Sequence, residues 1–143
     1  MSPTQSRQLI LQRLYEYMVG GENSDESFDL TCDLLGVVND DSNLSQKERN
    51  NVIDTTNQII ALADELDKTI VSHCTAQWSL DRIAIINRCI LRLAIYEMEY
   101  SDNVPNNVAI SEAMVLATQF TDPRSSRFIN GVLGSIDRQT EEG

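Results

Sequence analysis

Apolar residues recur along this chain at helical intervals, and no stretch sustains the strict alternation of a half-buried strand. Leu11, Leu14, Tyr15 and Met18 follow the i, i+3, i+4, i+7 template and predict a first helix that Gly20-Gly21 ends. A short second helix is expected from Ser27 to Val38, with Phe28, Leu30, Leu34 and Leu35 inward, followed by a polar loop over residues 39–43. Ser45-Gln-Lys-Glu48 reads as a capping box, in which the serine oxygen takes one orphan backbone N–H and the glutamate takes another. Val52, Ile53, Ile59, Ile60, Ala63, Leu66 and Ile70 carry the pattern on to about Cys74, a span long enough that a break is expected between Thr55 and Ala61.

The next segment opens at Trp78, with Ser79 as the expected cap. Leu80, Ile83, Ala84, Leu91, Ala94, Ile95 and Met98 mark one face, and Ile86, Ile90 and Leu93 mark a second beside it. A helix apolar over so much of its circumference needs neighbours on several sides and should be central. Pro105 is placed to begin the following helix, whose stripe is Val108, Ile110, Ala113, Met114 and Ala117. Phe128, Ile129, Val132, Leu133 and Ile136 form the last, with Gly131 and Gly134 inside it, two glycines that point to close packing or to a weak helix. The pattern predicts an all-α fold of about six or seven helices. Residues 1–143 are expected to form one domain of two small bundles, spanning about 5–75 and about 79–140.

Charge narrows the functions open to such a fold. Twenty-two acidic residues against eleven Lys and Arg give a formal charge of −11, which disfavours a generic polyanion binder whose affinity rests on neutralising phosphates. The imbalance is uneven. Residues 1–81 carry five basic and fourteen acidic groups, a balance of −9, whereas residues 82–143 carry six and eight, a balance of −2. The acidic runs at Asp25–Asp41 and Asp64–Asp67 are expected on solvated surfaces. A local basic patch remains compatible with this envelope.

Catalytic and metal chemistry find little support. The cysteines, Cys32, Cys74 and Cys89, are far apart and odd in number, as expected of reduced thiols in a soluble, cytoplasmic protein. The lone His73 cannot complete a zinc set, and as neighbours on a helix His73 and Cys74 diverge, so no nucleophilic dyad forms between them. No phosphate-cradling glycine loop, HExxH pair or nucleophile elbow is present. The expectation is a binding protein without a cofactor, not an enzyme and not a membrane protein.

Several motifs in register point further. Trp78-x-Leu80-x-Arg82, Ile90-Leu-Arg-Leu-Ala-Ile-Tyr-Glu97, Val104-Pro105-x-x-Val-Ala-Ile-Ser-Glu-Ala113, Ala117-x-x-Phe120 and Ser126-Arg-Phe-Ile-Asn-Gly-Val-Leu133 together resemble the NusB family of bacterial transcription antitermination factors. The opening segment from Arg7 to Tyr15 resembles the first helix of that family more loosely, and residues 19–70 match poorly. The resemblance implies two bundles of three to four helices. It also implies binding to the single-stranded boxA element of ribosomal RNA transcripts, together with the ribosomal protein NusE, in the RNA polymerase antitermination complex. Some relatives form homodimers. The alternative is a diverged adaptor that binds protein partners with weak or no RNA affinity.

RNA-binding candidates are Arg7 and Tyr15, at positions the family points to, with Arg13, Arg124, Arg127 and Phe128 added from the residues themselves. The arginine-rich opening of the family is reduced here to Arg7, with Arg13 on another helical face, which implies weak intrinsic RNA affinity and a shallow salt slope. Tyr15 either faces RNA or belongs to the Leu11–Met18 core stripe. Arg124 and Arg127 lie three apart at the start of the last helix, where free N–H groups and the positive dipole end favour a phosphate. Phe128 either stacks a base there or packs in the core. For the NusE surface the family points to the central helix, and the candidates are Asn87, Arg88 and Tyr96. Asn87 stands where the family commonly has an acid. Arg92 and Glu97 on the same helix are expected to pair with neighbouring helices.

Overall fold

The computed structural model describes residues 2–21, 45–74 and 79–142. The expected helix at 27–38, Cys32 and Trp78 lie outside the described residues. Six α-helices and one short 3₁₀ turn make up the described residues, as expected of an all-α fold. The chain divides into two compact units, Met1–Ala61 and Leu62–Gly143.

In the first unit, α1 (Pro3–Gly20) begins about two turns before Leu11, where the apolar pattern starts. Its start is built by a second capping box: Ser2 Oγ accepts from the Gln5 backbone N–H at 3.1 Å, and Gln5 Oε1 accepts from the Ser2 N–H at 2.9 Å. Pro3 occupies a first-turn position where its missing N–H costs nothing. The helix stops at Gly21, whose φ of 71° is left-handed and whose N–H reaches Tyr17 O at 2.7 Å. Leu9, Ile10, Leu11 and Leu14 are buried, while Tyr15 is 37% exposed. The inward stripe is therefore rotated towards Leu9 and Ile10 and away from Tyr15. α1 packs on α2 (Gln46–Ala61), which buries Val52 and Ile59. Ser45 and Glu48 form the expected capping box, with both bonds at 3.1 Å. Thr56 is buried beside Val52, and its hydroxyl donates to Val52 O at 2.7 Å, so no polar group is stranded.

The break after α2 falls at Leu62, and the division between units lies there, earlier in the chain than the expected 75–79 boundary. The physical reason is α3 (Ala63–Ser72): Leu66 and Ile70 are fully buried, and α3 packs against α4 (Ile85–Tyr100) in the second unit. Segment 79–98 is not one continuous helix. Leu80–Arg82 makes a 3₁₀ turn, Ser79 makes no side-chain cap, and α4 starts only at Ile85. α4 is central, packing on α3, on α5 (Asn106–Phe120) and on α6 (Pro123–Glu142). Its buried residues include Cys89, Ile90, Leu91, Leu93, Ala94 and Ile95. Small Ala109, Ala113 and Ala117 line the buried face of α5, and Asn106 Nδ2 donates to Asp137 Oδ1 on α6 at 3.1 Å. α6 buries Ile129, Val132, Leu133 and Ile136. Close packing does not explain Gly131, around which nothing lies within 4 Å of a hypothetical Cβ.

Arg92 is held to α3. Its Nε and Nη2 donate to Asp67 Oδ1 and Oδ2 at 2.7 and 2.6 Å, a two-pronged pair that is mostly buried. Burial by itself would lower the Arg92 pKa, but the Asp67 hydrogen bonds and charge prevail and hold it above the ordinary value. One member of the acidic run at Asp64–Asp67 is thus interior glue and not a solvated charge. No helix among the described residues is long and apolar enough to cross a membrane.

Candidate nucleic-acid interface

The basic site of the second unit is built on the first turn of α6. Asp122 precedes Pro123, and its Oδ1 accepts the Ser125 backbone N–H at 2.7 Å while its carbonyl accepts that of Ser126 at 3.0 Å. This is an N-cap followed by proline at the first helical position. Arg124 and Arg127 project from the same turn and are both exposed. Three positions apart, they share one side of the helix. Phe128 beside them is half-buried, so part of the ring faces solvent while the rest packs.

The helix end is not open in the way expected from sequence. The Ser125 N–H that a phosphate would have used is taken by Asp122, and the Asp122 carboxylate occupies the positive end of the dipole. Its pKa lies below the usual carboxylate range, first because of the Ser125 N–H and then with help from the Ser125 hydroxyl and the charges of Arg124 and Arg127. A nucleic-acid phosphate there would meet the two guanidinium groups but share them with a carboxylate. The sequence Asp122-Pro-Arg-Ser125 carries this cap in plain view.

Asn87 ties α4 to this turn. It is 7% exposed, and its Nδ2 donates to Ser125 Oγ at 3.0 Å. A residue so placed holds α6 and presents almost no surface to a partner. The expected partner contact of Asn87 is therefore replaced by an internal role. Arg88 is half-buried, with Nε shielded from solvent and without a hydrogen-bond partner among the described residues. Tyr96 is half-buried and stacks on Tyr100, ring centroids 6.0 Å apart and planes 16° off parallel. Tyr100 is 46% exposed, so the two rings make a partly open aromatic surface, of which the sequence pattern singled out Tyr96 but not Tyr100. Burial pushes the Tyr96 phenol up, with the Glu97 charge adding to it.

In the first unit the candidates separate. Tyr15 is exposed at the surface of α1, and Arg7 is half-buried on the same helix. Arg13 is only 1% exposed and lies 3.6 Å from Glu16 across one helical turn. A phosphate contact needs a reachable guanidinium, and Arg13 does not offer one; its alkyl stem and planar head fill core space instead.

The comparisons with known proteins agree with this architecture. The sequence profile of the NusB family matches residues 4–138. The chain belongs to the NusB family. It is 34% identical over 142 residues to the transcription antitermination protein NusB of Desulforudis audaxviator, covering 99% of this chain and 97% of that one. The NusB of Levilactobacillus brevis is 37% identical over 139 residues, covering 96% and 97%. Among solved structures, T. maritima NusB superposes with a TM-score of 0.78 at 22% identity, covering 96% of this chain and 92% of that one. A structure of the antitermination factors NusB and NusE in complex with dsRNA contains a chain matching at a TM-score of 0.76 and 22% identity, with 95% and 96% covered. The structural likenesses carry the NusB fold.

Proposed function

We infer that this protein acts in transcription antitermination by binding boxA-type single-stranded RNA of ribosomal RNA transcripts together with the ribosomal protein NusE. Membership of the NusB family over nearly the whole chain carries the reading. The exposed Arg124–Arg127 pair, with Phe128 at its edge, supplies the local chemistry: two guanidinium groups for phosphates and a partly open ring for a base. Tyr15 and Arg7 on α1 add an aromatic and a cation. Arg13 belongs to the fold. The role is binding and not catalysis, and it belongs in the cytoplasm beside RNA polymerase.

Asp122 gives the protein-only adaptor its best support, because it partly neutralises the same pair. One titration separates the two readings. A boxA-type RNA is titrated with and without NusE at two salt concentrations, against wild type and an Arg124→Gln/Arg127→Gln double variant. Losing two phosphate contacts to a single strand should reduce the salt slope by about 1.4 and weaken low-salt binding by about tenfold or more. Undetectable RNA binding in both settings, with NusE still bound, establishes the adaptor.

A further inference from the structure

Away from the first turn of α6, the second unit holds a polar cavity of about 340 Å³ that the reading above does not use. It is lined by Ser72 and His73 at the end of α3 and by Ser135, Arg138 and Gln139 on α6. His73 Nδ1 and Ser135 Oγ are 2.8 Å apart. Arg138 leans back along α6: one guanidinium nitrogen lies 3.4 Å from where a Cβ on residue 134 would stand. The arginine thus lies back over the helix towards Ser135, the direction in which helical side chains tilt. Among the residues whose side chains are described, none makes an ion pair with Arg138. We propose that this cavity is a phosphate-binding site in which Arg138, His73 and Ser135 hold the anion and protonation of His73 strengthens the grip.

The donor arithmetic gives the coupling. When His73 is neutral and its Nδ1 accepts from Ser135, the serine proton is spent within the pair and Nε2–H is the one donor left to the ring. Once the ring is protonated, Nδ1–H donates to Ser135 Oγ. The serine O–H is then released towards the cavity, alongside Nε2–H and a new positive charge. Arg138 supplies a planar fork suited to two phosphate oxygens, and Gln139 adds an amide donor. Ser72 donates to Thr69 O at 2.9 Å, so it shapes the wall without offering its proton.

Arg138 on α6 lines the cavity with His73, Glu99 on α4 lies within electrostatic reach of the ring, and Cys74 is next in its own chain. Glu99 repels an anion. The end of α3 does the same through its dipole. Both therefore make an anion depend on the protonated ring, and both set a modest affinity.

His73 is the one histidine in the chain, so its ring proton gives a single resolved NMR titration. The experiment follows that signal from pH 5 to 8 with and without sulfate (which does not titrate in this range) and inorganic phosphate, against chloride at matched ionic strength. A threefold to tenfold preference of the anion for the protonated form moves the midpoint upward by about 0.5–1 pH units. Arg138→Gln and Ser135→Ala should each abolish most of that movement, while helicity by circular dichroism stays unchanged. A nucleoside 5′-monophosphate and a dinucleoside phosphodiester without terminal phosphates are the further arms. Movement with the monoester alone assigns the site to free or terminal phosphate, and movement with both assigns it to the RNA backbone. No movement with any anion, or equal movement in the two variants, overturns the proposal. Arg124→Gln/Arg127→Gln should leave the titration as it is, so failure here and failure of the RNA-binding reading are separately visible.

Discussion

Asp67→Ala is a sharp test of what holds the second unit together. The substitution removes both acceptors of Arg92 at once, and these bonds, at 2.7 and 2.6 Å, join α3 to the central helix. Wild-type side chains are 12% and 14% exposed, so the guanidinium left behind would be largely cut off from water and without its main counter-charge. Breaking a buried pair from one side costs roughly 3–5 kcal/mol; the slight exposure here places the expectation near the lower end, about 3 kcal/mol. For a chain of this length, that is about 10 °C in melting temperature. Urea melts followed by far-ultraviolet circular dichroism read the loss directly. Arg92→Met and the Asp67→Ala/Arg92→Met double variant complete a cycle. Because the double variant has no stranded charge, it should be more stable than the sum of the single losses by about 1.5–3 kcal/mol. A cost below about 1 kcal/mol for Asp67→Ala, with an additive cycle, would show that the pair behaves as an exposed one and that the argument from burial is wrong.

Two further expectations concern titratable groups. Burial pushes the Cys89 thiol up to about 11 and raises the half-buried Cys74 thiol as well. In a Cys32→Ser background at pH 8, a chromogenic disulfide reagent should therefore modify Cys74 and leave Cys89 untouched until the protein unfolds; prompt reaction of two thiols in the folded protein contradicts this. The carboxylates of Glu48 and Asp122 lie below their ordinary values of 4.5 and 3.8, each chiefly through a backbone N–H, that of Ser45 and of Ser125 respectively. A lowered folded-state value means that the stabilisation is complete above the ordinary value and fades as the pH falls through the lower one. Asp122→Asn keeps an acceptor for the cap but cannot titrate, so its urea midpoint should fall less steeply between pH 5 and pH 2.5 than that of wild type. Identical slopes would rule out Asp122 as a contributor to acid sensitivity.

Much of this fold could be read from spacing alone, because helices advertise themselves by periodicity. The breadth of apolar positions around Leu91 and Ile95 marked α4 as central, and Ser45 with Glu48 marked the start of α2. Where the reading slipped, a local rule met a tertiary one. Tyr15 fits the apolar stripe as well as Ile10 does, and only the packing of α1 on α2 decides which of them turns inward. The 3₁₀ turn before α4 has apolar residues at helical spacing, so periodicity could not distinguish it from the helix that follows. Charges were hardest to place. Arg13 and Arg127 look alike in the sequence, yet one is enclosed and the other exposed; Asp67 looks like its neighbour Asp64 but clamps an arginine from another helix. Such pairings join residues far apart in the chain and leave no local trace.

The bond from Asn87 to Ser125 has one more implication. Nearly all of the α6 residues that fill the interior lie beyond its first turn, from Ile129 onward, whereas Arg124 and Arg127 stand before them. Selection could therefore exchange the outward arginines for other chemistries with little penalty to folding, provided that the asparagine and the serine are kept. Drift in ligand preference within such proteins should leave its record at the arginine positions and spare this single latch.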